Sequence, residues 1–145
     1  WLDYPSFDEE TEVVRSTTAG TSTEVRPVLS ADDLHTYQAF VRNIPVADNV
    51  IEHAVDLVTR TRPDADAAPD FVQDYLSYGA GPRASQYLVL GAKTLAALQG
   101  RMTPVEEDIR RMAVPVLRHR IVPSFNAEAD NVSSVDLIER LLTEK

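Results

Sequence analysis

Gly79-Ala80-Gly81-Pro82-Arg83-Ala84-Ser85-Gln86-Tyr87 opens the longest helical stretch of this 145-residue chain. Pro82 suits the first helical position, where its missing N–H would lack an intrahelical partner anyway, and Gly100 suits the stop. Between them Tyr87, Leu88, Gly91, Leu95 and Leu98 form a stripe, and Gly91 with Ala92 leaves room for a second helix to approach. Arg83 falls in the first turn, where the helix dipole favours anions and disfavours a cation by ~0.3–1 kcal/mol. A guanidinium beside the free N–H groups of a helix start makes an anion site whose fork matches phosphate oxygens. The plainer alternative is an exposed Arg in a solvated turn.

Working outward, helical signals recur on both sides. Pro5 breaks an extended opening at residues 1–4, and Ser6 with Glu9 forms a capping box for a helix to about Arg15. Ser16 to Pro27, rich in Ser, Thr and Gly without an apolar period, predicts a linker or mobile loop. Ser30-Ala31-Asp32-Asp33 caps a helix with Leu34, Tyr37 and Val41 on one face, stopping before Pro45. Asp48 caps the next, in which Val50, Ile51, Ala54, Val55 and Val58 share a stripe. Pro69-Asp70-Phe71-Val72 opens a short element that ends at the Tyr78–Gly81 turn. Thr103-Pro104-Val105-Glu106 reads as a capping box ahead of Val105, Ile109, Met112 and Ala113; Pro115 ends or kinks that helix, and Pro115 to Ile121 can form one or two further turns carrying Val116 and Leu117 inward. Phe125 to Asn131 is a polar connection, and Ser133 or Ser134 caps a last helix in which Val135, Ile138, Leu141 and Leu142 share a face. The expected fold class is all-α, a small bundle of about five helices.

Composition narrows the function classes. Hydrophobic residues make up 43% and charged residues 26%, ordinary for a globular chain, and no apolar run approaches the ~18 residues of a membrane span. A net charge of -9 opposes nucleic-acid binding, because affinity for a phosphate backbone rests on clustered Lys and Arg. The absence of cysteine removes thiolate chemistry and fits a reducing, cytoplasmic address. The chain opens at Trp1 without an initiator Met or a secretory pattern, which predicts a piece of a longer protein.

The catalytic inventory is sparse. No Gly-x-x-x-x-Gly-Lys-Ser/Thr loop is present, and no apolar strand ends in Asp-Glu to hold magnesium. His35, His53 and His119 lack paired metal-ligand spacing, no Ser sits in a Gly-x-Ser-x-Gly elbow, and no carboxylate pair stands out among 23 acids. No complete catalytic site is expected.

The opening string, followed by Gly91-Ala92-Lys93, Gly100-Arg101 and Pro115-Val116-Leu117-Arg118-His119-Arg120-Ile121, resembles the C-terminal lid of MoxR-type AAA+ ATPases. Tyr4-Pro5-Ser6 with Glu9 and Glu10 is similar to the end of that family's nucleotide-binding core, and Val28 to Leu34 to the start of its lid. The resemblance implies a core end and linker at residues 1–27 and a helical lid at 28–145. It implies that Arg83 is the sensor 2 residue reaching the terminal phosphate of ATP, with Gly81 and Pro82 setting the turn that aims it. It further implies ATP with Mg2+ in the parent protein, held chiefly by the AAA+ core, a homo-hexameric ring, chaperone-like remodelling or cofactor insertion, and a von Willebrand factor A domain partner. Whether Arg83 would act on its own subunit's nucleotide or a neighbour's is open. So is the orientation of Tyr87, inward or toward adenine, and the role of Arg118, His119 and Arg120, either helix-end cations or a partner contact. The competing class is a stand-alone helical interaction module with no nucleotide role.

Overall fold

In chain order the elements are α1 (Phe7–Thr18), α2 (Ala31–Asn43), α3 (Asp48–Thr59), α4 (Asp70–Tyr75), β1 (Leu76–Tyr78), α5 (Pro82–Leu98), α6 (Glu106–Leu117), β2 (Val122–Pro123), α7 (Phe125–Ala129) and α8 (Ser134–Thr143). They come from a computed structural model that describes residues 3–20 and 24–144. The fold is a small helical domain with a single two-stranded sheet among the described residues. Part of the expected extended opening, residues 1–2, and part of the expected linker, residues 21–23, lie outside that description.

Two compact units divide the chain, residues 1–34 and 35–145. In the first, Ser6 caps α1 reciprocally with Glu9, and the helix runs three residues past Arg15 to Thr18. The hydroxyls of Thr17 and Thr18 fold back onto the carbonyls of Val13 and Val14 at 2.7 Å each, so these polar side chains find partners within the helix itself. Ser30 and Asp33 form a full capping box for α2, with bonds of 2.9 and 3.1 Å.

The second unit is built around α5, which packs chiefly on α6 and α3, while α6 also meets α8. Its buried residues are Ala84, Leu88, Ala92 and Ala96, four residues apart. This corrects the expected stripe: Leu88 is buried, whereas Tyr87 and Leu98 are exposed. The physical reason is size. A ridge of alanines lets neighbouring backbones close in, so small residues win the inner face and bulkier ones turn out. Gly91 extends that logic, since a Cβ there would fall 2.7 Å from Met112 Cε. At the other end Gly100 takes a φ of 70°, and the N–H groups of Gly100 and Arg101 bond to the carbonyls of Ala97 and Ala96, closing the helix in a Schellman motif.

Several local expectations change. Asp48 lies inside the first turn of α3, with Ala47 at the cap position. Thr103 does not cap α6, because its hydroxyl donates to the Pro45 carbonyl at 3.1 Å. Instead the Asp108 carboxylate accepts the Val105 N–H at 2.8 Å, and Val105 itself is exposed. Pro115 does not end α6, which continues to Leu117. Proline so near a C-terminus removes one backbone bond, and burial of Val116 and Leu117 offsets it at roughly 1.5–3 kcal/mol per large apolar side chain.

Three short elements, β1, β2 and α7, were not anticipated. Tyr78 pairs with Val122 and Leu76 with Pro123 in an antiparallel ladder too brief to show alternation in sequence. Phe125–Ala129, expected as a connection, forms α7, capped by the Ser124 hydroxyl, which accepts the Ala127 N–H. For α8 the cap is Ser133, boxed with Asp136, and Leu137, Ile138 and Leu141 are buried.

Candidate functional site

The first turn of α5 faces a cleft of about 970 Å³ whose walls come from α3 and α5. Gly81 sits at the helix cap with extended backbone (φ -83°, ψ 175°), Pro82 occupies the first helical position, and no side chain caps the end. Arg83 projects from that turn, exposed, and lines the cleft together with Pro82. The first turn carries no acidic side chain, so the positive end of the dipole and the guanidinium act in the same place.

Two further arginines reach the same cleft, Arg42 from the end of α2 and Arg62 from the segment after α3. Among the described residues none of Arg42, Arg62 and Arg83 is ion-paired. In a chain with 23 acids and 14 Lys and Arg, three cations without carboxylate partners on one concavity form a local reversal of charge. Such a concentration favours an anion there. Arg83 stands out in the sequence as an unusual cation at a helix start within a string that resembles a known family, but Arg42 and Arg62 lie 41 and 21 positions before it in an unremarkable local context. Only the tertiary fold gathers them.

The walls are apolar. Ile51 and Val55, expected in the core stripe of α3, are 38% and 48% exposed and line the cleft, while Leu57 takes the inner position instead. Tyr87 also lines the cleft and is half exposed, with the Arg120 guanidinium stacked 5.0 Å from its ring centroid. The inward alternative for Tyr87 is thereby removed. A concavity with apolar walls and a few convergent charged groups is the usual form of a small-ligand site.

The basic string after α6 is largely engaged within the domain. Arg120 donates to the Val116 carbonyl, touches the His119 ring and stacks on Tyr87, which is the arrangement expected of a cation at the negative pole of a helix. Elsewhere, Asp108 is held below its ordinary value, first by hydrogen bonding from Arg101 and then by the Val105 N–H, against the opposing effect of burial. It lies apart from the cleft lining and acts on the α5–α6 connection. Among the described residues no group of three or more His, Cys, Asp or Glu is placed to hold a metal ion. None of the described helices is long and apolar enough to cross a membrane.

Comparison with known proteins bears on the same region. Residues 69–141 match the AAA lid domain family. Over 141 residues the chain is 32% identical to the chaperone MoxR1 of Mycobacterium tuberculosis, which takes in 97% of this chain and 37% of that protein. It is 25% identical over 143 residues to the uncharacterized protein YeaC of Bacillus subtilis, covering 98% of this chain and 42% of YeaC. Among solved structures, a proposed ATPase from Cytophaga hutchinsonii superposes with a TM-score of 0.79 at 28% identity, over 99% of this chain and 44% of that one. The chain thus spans less than half the length of each of these relatives.

Proposed function

Because the chain belongs to the AAA lid domain family, we propose that it is the C-terminal lid of a MoxR-type AAA+ ATPase and that Arg83 is its phosphate-sensing residue. On this reading residues 1–27 end the nucleotide-binding core and its linker, and residues 28–145 form the lid. The observation that carries the proposal is the cleft between α3 and α5, where Arg83, Arg62 and Arg42 converge without carboxylate partners beside apolar walls. An adenine nucleotide divides the same way, into a flat apolar base and a multiply charged phosphate chain.

The division of labour is physical. The phosphate-cradling loop and the magnesium ligands would belong to the core, and this chain would contribute cations at the γ-phosphate side. Charge spreads over the equatorial oxygens as the phosphoryl group transfers, so a pre-aimed guanidinium there stabilises the transition state. The same contact exists only while the terminal phosphate is present. Its loss removes a differential interaction between two lid positions, which is how hydrolysis biases domain movement. A homo-hexameric ring, a cytoplasmic address, remodelling of client proteins or cofactor insertion, and a von Willebrand factor A domain partner complete the reading as features of the whole protein.

A second reading, a helical interaction module, is favoured by one observation. Leu34, Tyr37 and Phe40 on α2 are each at least half exposed. On the lid reading the core would cover them.

ATP turnover by the full-length protein separates the two. Arg83→Ala is expected to lower kcat about 100-fold, as removal of a transition-state donor does, with the fold intact. Unchanged turnover and unchanged ATP affinity would leave Arg83 a surface residue and favour the interaction module.

A further inference from the structure

We infer that Thr61 and Arg62 are positioning residues for Arg83, pinning the turn before α5 to the end of α3. The inference rests on the nucleotide reading above and extends it to two residues outside the Gly-Pro-Arg string. Thr61 is fully buried although polar. Its hydroxyl donates to the Val58 carbonyl at 2.6 Å and accepts the Ala80 N–H at 2.9 Å. The next residue completes the grip, since Arg62 Nε donates to the Ala80 carbonyl at 3.0 Å. Two adjacent residues therefore hold the N–H of Ala80 and its carbonyl alike.

The turn is pressed home on the side of Gly79 as well. A Cβ at Gly79 would lie 2.3 Å from the Thr61 carbonyl oxygen and 2.6 Å from Arg62 Cα, so only glycine allows this approach. The Ala80 side chain is itself buried. From Ala80 to Arg83 the chain passes through Gly81 and Pro82 alone, and the proline ring fixes one of the few remaining torsions. Little slack separates the pinned peptide from the guanidinium. The C-terminal half of α3 also lines the cleft through Val55 and Thr59. The clamp thus ties the wall of the cleft to the residue that reads its contents. A misplacement of about 1 Å is enough to cost on the order of 100-fold in rate when a group must meet a transition state.

The test is steady-state ATP hydrolysis by the full-length protein, measured well below each variant's melting temperature. Thr61→Val keeps the shape and deletes the hydroxyl; Thr61→Ser restores it. Thr61→Val is expected to lower kcat at least about tenfold, Thr61→Ser to recover most of that, and Thr61→Val to add nothing in an Arg83→Ala background. A Thr61→Val enzyme that melts earlier yet turns over normally, or whose loss multiplies with that of Arg83→Ala, overturns the inference while Arg83 keeps its role. Normal turnover in Arg83→Ala alone would instead bring down the nucleotide reading, and the clamp's role with it. Should Thr61→Val not fold, Arg62→Lys, which keeps the positive charge in the cleft and removes the Nε donor to the Ala80 carbonyl, carries the same comparison with and without Arg83→Ala.

Discussion

Arg101 grips Asp108 in a two-pronged ion pair, Nη2 to Oδ1 at 2.6 Å and Nη1 to Oδ2 at 2.8 Å. Asp108 is almost wholly buried, and its second task is to accept the Val105 N–H at the start of α6. Arg101 also donates to the side chain of Gln99, so one guanidinium joins the end of α5 to the beginning of α6.

The pair sets a pH dependence. Asp108 titrates below its ordinary value of 3.8 in the folded chain, so the folded state holds fewer protons than the unfolded one in that range. Its contribution is present above that value and is lost as pH falls through the lower, folded one. Urea midpoints should therefore show Asp108→Asn less stable than wild type at neutral pH, with the gap closing in the acid range below 3.8. A gap that stays constant down to the acid limit would show that the carboxylate charge contributes nothing.

Gly91 and Met112 meet where α5 packs on α6. Gly91→Val is expected to destabilise by about 1–3 kcal/mol through overpacking. The double variant with Met112→Ala should lose less than the sum of the two, since Met112 Cε and Cγ are the atoms in the way. Additive losses in a denaturant series would mean that the helices do not meet there.

Leu88→Ala should cost about 2–5 kcal/mol, whereas Leu98→Ala, on an 80% exposed side chain of the same helix, should stay within about 0.5 kcal/mol. Comparable losses at both positions would restore the stripe read from sequence.

That contrast marks where the sequence was legible. Caps and stops were plain, because Ser6, Ser30, Ser133 and Gly100 act on backbone groups within a few residues. The longer helices followed from them, whereas β1, β2 and α7 did not. Which face turned inward was harder, since Ile51 and Val55 look like core residues until the cleft they line is seen. Periodicity records that a residue is apolar, not whether it meets a neighbour or an open concavity. Pro115 was legible in part: the further turn that carries Val116 and Leu117 inward was expected, but it continues α6 rather than following a stop, because the rule about helix interiors weakens near a helix end that is itself buried. The site divides likewise. Arg83 was visible from its own helix, while Arg42, Arg62 and the Thr61 hydroxyl join it only through tertiary structure.

The convergent arginines predict a direct, salt-sensitive affinity. The 145-residue chain should bind inorganic triphosphate weakly at low ionic strength and lose it as salt rises, because an exposed cation cluster is screened over about 10 Å at 0.1 M. Calorimetry on Arg42→Gln, Arg62→Gln and Arg83→Gln should show a loss in each, while Arg15→Gln, whose residue pairs with Glu12 in α1, should match wild type. Equal affinity in all four would place the anion elsewhere.

The most direct measurement is a structure of the full-length protein with a non-hydrolysable ATP analogue and Mg2+. The Arg83 guanidinium is expected within hydrogen-bonding reach of a γ-phosphate oxygen, about 2.7–3.2 Å, with the Ala80 peptide still held by Thr61 and Arg62. A nucleotide bound with Arg83 turned to solvent, and the cleft between α3 and α5 facing away from the phosphates, would contradict it.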